Sequence, residues 1–393
     1  MKVKKDIKKK VIVLFGGKSV EHDISIITGI QTLNALNKDK YDAVPIYISK
    51  DGFWYSNEDF FNIKTFVDTT NFNNKYKQFC LGTDSLLYVK KGNRLKKVFK
   101  IDFAFLATHG GGGENGELQG LLELCNINYS SPNTLSSSVC MNKLFTKQIL
   151  SCEGIKQTKY VSVFKIEYKK GFESLKEKLK GLKLPLIVKP VSLGSSVGIT
   201  FCKSLSKLKN ALSFAFLFDN TVIIEEAVEN LREVNLSILG CRENYELSDI
   251  EEVVVDKEIL TFEGKYLNDN SSAKGMESAD RIIPANIERE VEDQIKGMGK
   301  KAFEVLGCKG IVRIDFLINS KTNQVYLNEI NTIPGSLSNY LWKSKKYSFS
   351  KLLDKLYEYS KKQKDIDSSR ITNFSSNVLK QFKNSSKLSS FKK

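Results

Sequence analysis

No stretch of this 393-residue chain approaches the roughly 18 consecutive apolar residues that a membrane-spanning helix needs. The first ten residues, Met1-Lys-Val-Lys-Lys-Asp-Ile-Lys-Lys-Lys10, lack the apolar region of a signal peptide, so a cytoplasmic protein with no membrane partner is expected. The seven cysteines are odd in number, scattered and without a CxxC pair, which points to neither a disulfide framework nor a zinc site. Arginine is also scarce. Only seven of the 61 basic side chains are Arg, although the formal charge of +16 would otherwise suggest a nucleic-acid partner. Arg is the side chain suited to bidentate phosphate and base contacts. Its scarcity, with much lysine in the first ten residues and the tail, favours a solvated lysine-rich surface over nucleic-acid binding.

What is present is a soluble globular composition, 41% hydrophobic and 10% aromatic, in a chain long enough for two or three domains. Strand-like and helix-like blocks alternate in the first third. Lys10-Val-Ile-Val-Leu-Phe15 reads as a buried strand, a helix follows from about 19 to 36, and Ala43-Val-Pro-Ile-Tyr-Ile48 and Phe103-Ala-Phe-Leu-Ala107 read as further strands. This order predicts an α/β fold with a parallel sheet. Residues 50–100 form an aromatic-rich insertion that periodicity does not assign. A strand at 184–189, a strand at 222–226, an antiparallel run over 233–254, a long polar loop at 265–280 and a helix at 286–306 follow. From about 366 the chain turns rich in Ser, Lys and Asn and reads as a poorly ordered tail.

Two short segments near the end, Gly310–Ile318 and Val325–Asn331, read as a hairpin. Residues two apart on a strand share a face, so Arg313 lies with Asp315, and Glu329 with Asn331. These polar side chains interrupt apolar runs, where an unpaired buried charge costs on the order of several kcal/mol. A hard divalent ion held by two carboxylates and an amide oxygen would compensate them. So would a solvated polar face with an Arg/Asp pair, and the hairpin alone leaves both readings open.

Three glycine-rich loops also carry polar residues. Gly194-Ser-Ser-Val-Gly198 follows Lys189-Pro190 and can close backbone N–H groups around phosphate oxygens or form a plain turn; it lacks the GxxxxGK[ST] pattern of a P-loop. Four glycines follow His109, at the end of a predicted parallel strand, where open sheets place ligands. In Gly16-Gly-Lys-Ser-Val-Glu-His-Asp23 the acidic residues can complement a helix dipole, and Glu21 can also pair with a substrate ammonium.

Taken in order, FGGKSVEHDIS, HGGGGENGELQG, Tyr129-Ser-Ser131, Met141-Asn-Lys143, LPLIVKPVSLGSSVG, VIIEEA, GKYLND, RIDF and NEINTIPG resemble the sequence of the D-alanine:D-alanine ligases, members of the ATP-grasp superfamily. The resemblance spans about residues 10–360. It implies a Rossmann-like domain at 1–131, ATP-grasp subdomains of α+β type at 132–225 and 226–365, and the tail at 366–393. It also implies a ligase that uses ATP and two Mg2+ ions, with Mn2+ able to substitute, to join two D-alanines for peptidoglycan. The family commonly forms homodimers. By the same resemblance Lys143 and Lys189 contact the nucleotide, Ser196 lies in the loop over the phosphates, Glu225 lies at the adenine and Glu233 at the ribose. Lys265 reaches the γ-phosphate, and Asp315, Glu329 and Asn331 hold the metal. Glu21, linked through Ser195 to Tyr266, positions the first D-alanine beside His109, and Arg313 with the Gly335 N–H meets the oxyanion.

The chain departs from the family pattern at three places. Asn115 and Asn142 stand where Asp is usual, which keeps an acceptor oxygen but loses charge. After Pro334-Gly335, where many relatives carry a Thr-Ser-x-Ser run whose last serine holds the acceptor carboxylate, the chain reads Ser336-Leu-Ser-Asn-Tyr-Leu-Trp342. Ser338 or Tyr340 is left to supply a hydroxyl. Tyr266 is the aromatic expected with a D-alanine acceptor, whereas relatives using D-lactate often carry Phe.

Overall fold

A computed structural model of the protein describes residues 7–254 and 281–376 and builds them on three sheets. The first contains β1 (Lys9–Gly16), β2 (Tyr41–Ile48), β3 (Trp54–Tyr55), β4 (Gln78–Leu81), β5 (Leu86–Lys91), β6 (Arg94–Lys100) and β7 (Phe103–Leu106), in the order β6-β5-β4-β3-β2-β1-β7. Val11 to Phe15 and Phe103 to Leu106 have no exposed surface, as near-continuous apolar runs require in strands covered on both faces. Here β2, β1 and β7 pair in parallel. The sheet is nonetheless mixed, because β3 to β6 add an antiparallel extension built from the unassigned 50–100 segment. Its aromatic richness has a packing role: Tyr47, Phe60, Phe66, Phe72 and Tyr76 form one cluster, with ring centroids as close as 4.8 Å. The lysine-rich β6 blunts the open edge.

The helix His22–Ala35 covers this sheet and is shorter at its start than the 19–36 span, because Ser19 to Glu21 form the turn that enters it. The helix Phe349–Ser368 returns from the far end of the chain to the same core, burying Leu352, Leu353 and Leu356. Tyr357 packs edge-on against Tyr41 and Phe103. The helix runs through Ser368, so the tail expected from 366 starts later. Its apolar positions recur at helical spacing, and that pattern outlasts the change to polar composition.

The second sheet has β8 (Tyr160–Phe164), β9 (Leu186–Pro190), β10 (Thr200–Cys202) and β11 (Thr221–Glu226) in the order β10-β9-β11-β8, all antiparallel. Leu208 and Leu212 of the helix Leu205–Ala215 bury against Val188 and Ile224. The third sheet has β12 (Leu231–Cys241), β13 (Asn244–Val253), β14 (Arg281–Ile282), β15 (Gly310–Asn319) and β16 (Gln324–Asn331) in the order β14-β13-β12-β15-β16, again antiparallel. The helix Arg289–Val305 packs Val291, Ile295 and Phe303 onto it. Among the described residues no helix is long and apolar enough to cross a membrane.

Candidate active site

The parallel strands β1 and β7 end side by side, and Ser25 joins their ends: its Oγ accepts from the Gly16 N–H at 2.7 Å and donates to the Ala107 carbonyl at 2.8 Å. This places Glu21 and His109 on one rim. Glu21 is 9% exposed and accepts a hydrogen bond from the Ser195 hydroxyl, which reaches across from the second sheet. A Cβ at either Gly110 or Gly194 would collide with the Glu21 carboxylate, so two of the sequence's glycine loops are glycine where they close on this acid. Burial, reinforced by Glu114, pushes the Glu21 carboxyl upward.

His109 is buried and held at both nitrogens, with Nδ1 2.7 Å from the Ile333 carbonyl and Nε2 2.8 Å from Thr28 Oγ1. The carbonyl can only accept, so the network assigns the proton to Nδ1, leaving Nε2 to accept from Thr28. Burial keeps the imidazole neutral by pulling its pKa down. Thr28 in turn accepts from the Ser336 N–H at 3.1 Å. His109 therefore anchors the segment that carries Gly335 and the altered run. Glu114 does the same from the other side, accepting from the N–H groups of Gly110, Thr332 and Ile333. Ser336, Leu337 and Ser338 all have φ near +50°, a left-handed turn in non-glycine residues that costs roughly 1–2 kcal/mol per residue. Burial of Leu337, Leu341 and Trp342 in the first core holds it in place.

On the third sheet, strand register lines the polar side chains into rows. Glu251, Asn235, Asp315 and Glu329 stand opposite one another across β13, β12, β15 and β16, and Ser237, Arg313 and Asn331 form the next row. Arg313 bonds Asp315 through Nε at 2.6 Å and Nη2 at 2.8 Å, and Asn331 Nδ2 donates to the same carboxylate at 3.0 Å. Glu329 lies 3.4 Å from Lys143 Nζ. The two faces of the hairpin thus coincide. Asp315, Glu329 and the Asn331 amide oxygen present an oxygen-only donor set, of the kind a hard divalent cation takes while leaving positions for phosphate and water.

On the second sheet Glu225 is fully buried between two lysines, Lys189 and Lys147, the latter at 3.0 Å. Thr158 donates to it at 2.8 Å. Against the cost of burial, the two ammonium groups hold its carboxyl below the ordinary glutamate range. Burial lowers the Lys147 pKa, whereas for Lys189 the neighbouring Glu225, Glu329 and Glu233 outweigh burial and raise it. Two ammoniums on one carboxylate leave excess positive charge beside the hairpin. Lys189 also donates to Asn328 Oδ1 at 3.1 Å.

Two adjoining cavities result. Glu21, His109, Ser195, Arg313 and Gly335 line one. Lys189, Ser196 and Asn328 line the other, and Lys143, Glu233, Asp315 and Glu329 stand in the wall common to both. Glu225 does not line either; its carboxylate is taken up by the lysines. Lys265, Tyr266 and the 265–280 loop lie outside the described residues. Asn142 caps the helix Lys143–Cys152, accepting from the N–H groups of Leu144 and Phe145, and Asn115 accepts from the Glu117 N–H at a helix start. An amide suffices for either. Sequence reasoning missed Lys147, Glu114, Asn235, Glu251, Arg281 and Asn328. For Asn235 the signal was present in Glu233-Val-Asn-Leu-Ser237, polar at every second residue of an apolar strand.

Family models described as D-ala D-ala ligase N-terminus and D-ala D-ala ligase C-terminus match residues 10–132 and 149–358. The chain is 38% identical to the D-alanine–D-alanine ligase of Thermosipho melanesiensis over 94% of its own length and 97% of that relative. It is 35% identical to the D-alanine–D-alanine ligase B of Clostridium tetani, covering 89% of this chain and 92% of that one. Among solved structures it is similar to the VanG D-Ala:D-Ser ligase of Enterococcus faecalis, with 30% identity and a TM-score of 0.76 over 90% of this chain and all of that one. The D-alanine-D-alanine ligase of Coxiella burnetii is similar too, with 28% identity and a TM-score of 0.73 over 92% of this chain and 98% of that one.

Proposed function

The chain belongs to the D-alanine:D-alanine ligase family, and from that membership we propose that it is an ADP-forming ligase joining two D-alanines into D-alanyl-D-alanine for peptidoglycan. It uses ATP and acts on small molecules. The observation that carries this reading is the common wall of the two cavities. A nucleotide in the chamber of Lys189, Ser196 and Glu233 brings its γ-phosphate to Lys143, Asp315 and Glu329, where a donor carboxylate in the other chamber meets it.

The chemistry requires that meeting. A carboxylate has no usable leaving group for amine attack, and transfer of the γ-phosphoryl to it gives D-alanyl phosphate and ADP. Glu21, aligned by Ser195, pairs with the donor ammonium. Lys143 and Lys189 offset charge on the phosphates. Asp315, Glu329 and Asn331 would hold two Mg2+ ions, or Mn2+ in their place, whose charge neutralises the transferring phosphoryl. The acceptor amine, losing its proton, then attacks the acyl carbon. Arg313 and the Gly335 N–H stabilise the tetrahedral oxyanion, and phosphate leaves. Glu225, which lines neither cavity, acts on the nucleotide side by holding Lys189, which lines the nucleotide chamber. The proposal extends to a homodimer in the cytoplasm, without nucleic-acid or membrane partners, and to divisions of the chain near 131 and 225.

With ATP and Mg2+, D-alanine alone is expected to release phosphate and to yield a product of the mass of D-alanyl-D-alanine. No dipeptide from D-alanine alone, with D-serine or D-lactate consumed beside it, would favour the second reading: a ligase of the same family with another acceptor. The observation in its favour is the altered run at 336–342.

Donor binding needs Glu21 ionised, and its carboxyl is pushed up. As pH falls, the protonated form therefore appears before an ordinary glutamate would titrate. The acid limb of kcat/KM for the donor should lie above the usual carboxylate range, and Glu21→Gln should remove that limb while lowering the plateau. An unchanged limb in the variant would assign it to another group.

A further inference from the structure

We propose that Arg281 binds the carboxylate of the acceptor amino acid, and that Glu251 and Tyr340 are the positioning residues that aim it. The inference rests on the ligase reading of the site. Arg281 opens β14, at the edge of the third sheet, and lines the same cavity as Arg313 and Gly335. Its side chain is 10% exposed. Nη1 forms an ion pair with Glu251 and donates to the Tyr340 hydroxyl at 2.9 Å, while the guanidinium carbon stands 4.7 Å from the centroid of the Tyr340 ring. The plane is thus fixed by a salt bridge, a hydrogen bond and a stacking contact.

That fixing leaves part of the guanidinium unused. Nε is buried and has no hydrogen-bond partner among the described residues. A buried, unsatisfied guanidinium N–H is costly to the fold, and a ligand acceptor would recover that cost. Glu251 cannot turn to meet it, because its carboxylate already accepts from Asn235 at 2.9 Å, from Tyr340 at 2.9 Å and from Arg281 Nη1. Arg313 is in a different position. Both its Nε and Nη2 bond Asp315, and the proposed reaction assigns it to the oxyanion.

The acceptor is a small zwitterion entering a largely buried cavity, and its carboxylate has to exchange water for a cation. The donor ammonium is met by Glu21 at the rim of the first sheet, whereas Arg281 stands on the third sheet and is left for the acceptor. Tyr340 stands in the run that departs from the family pattern. Its hydroxyl orients the cation, whereas a serine hydroxyl there in relatives would hold the carboxylate directly. The ligand class is an amino or hydroxy acid with a free α-carboxylate, and an acceptor amide should be rejected.

The test separates the two half-reactions. Hydroxylamine intercepts D-alanyl phosphate as the hydroxamate and needs no carboxylate subsite. Arg281→Gln, and the double variant Arg281→Gln/Glu251→Gln that leaves no unpaired buried carboxylate, are assayed with D-alanine, D-alaninamide and hydroxylamine after thermal unfolding shows which folds. The expected result is a rise of roughly 10- to 100-fold in KM for the acceptor D-alanine, as loss of hydrogen bonds to a charged group implies. Discrimination against D-alaninamide should collapse, with hydroxamate formation within about twofold of the native rate. Tyr340→Phe should raise the acceptor KM by only about three- to tenfold, the effect of one hydrogen bond. Normal trapping with an unchanged acceptor KM and intact amide discrimination overturns the role of Arg281 alone. A native enzyme that yields no D-alanine hydroxamate overturns the ligase reading and this inference with it.

Discussion

Replacing Glu329 by Gln is expected to lower turnover by about a thousandfold or more while the protein keeps its fold. The side chain is 25% exposed and its ionic partner, Lys143, also donates to the Leu193 carbonyl at 2.5 Å, so neutralising Glu329 strands no buried charge. An isosteric amide preserves the strand pairing of Glu329 with Asp315. What it removes is one of the two carboxylates, Asp315 and Glu329, proposed to hold the metal in the common wall of the cavities. If those carboxylates hold the cations on the phosphates, the loss is several kcal/mol of transition-state stabilisation, or about three orders of magnitude in rate. Phosphate release with D-alanine and saturating ATP measures the effect, and a melting curve controls for folding. Turnover within tenfold of the native enzyme would remove Glu329 from the metal site.

Glu225→Gln is expected to act on stability instead, by about 3–5 kcal/mol, the usual result of removing one partner from a buried ion pair. Lys147 and Lys189 have side chains only 4% and 9% exposed and share this single carboxylate. Without it Lys147 keeps Thr158, at 3.2 Å, and the Tyr160 ring, whose centroid is 5.1 Å from its ammonium, neither of which carries a compensating charge. Lys189 keeps Asn328. The pH dependence follows from the depressed carboxyl. Its folded pKa lies below the ordinary value of 4.5, so the unfolded chain binds the proton more readily; the stabilisation is present above that value and is lost as pH falls through the folded one. Denaturant unfolding at neutral pH should show the full gap between native and variant, and the gap should narrow under acid. A variant as stable as the native protein at neutral pH would mean that solvent reaches the lysines.

Both predictions concern side chains whose importance was unequally legible in the sequence. Glu329 and Asp315 interrupt apolar strand runs at period two, and a period-two interruption is visible without coordinates. Glu225 was visible as a polar residue in VIIEEA, but not as the counter-ion of Lys147, which sits on a helix 78 positions earlier in the chain and carries no local signal. The antiparallel extension from β3 to β6 escaped for a related reason. Its strands are as short as two residues, below the length at which alternation can be read. The His109 loop was legible as a ligand rim because consecutive glycines are costly to order. The network that makes His109 an anchor for residues 333–336 was not.

Glycine placement, strand periodicity and motif order, which are local properties of a chain, determined by themselves that this protein carries a parallel α/β start, a glycine- and serine-rich loop after Lys189-Pro190 and a carboxylate hairpin. Tertiary structure decided which faces meet. Antiparallel register set Glu251, Asn235, Asp315 and Glu329 in one row, and packing of the left-handed turn at 336–338 into the first core brought Tyr340 to Arg281. Such pairings depend on strands and loops distant in sequence, and only the closed fold brings their charges within hydrogen-bonding distance.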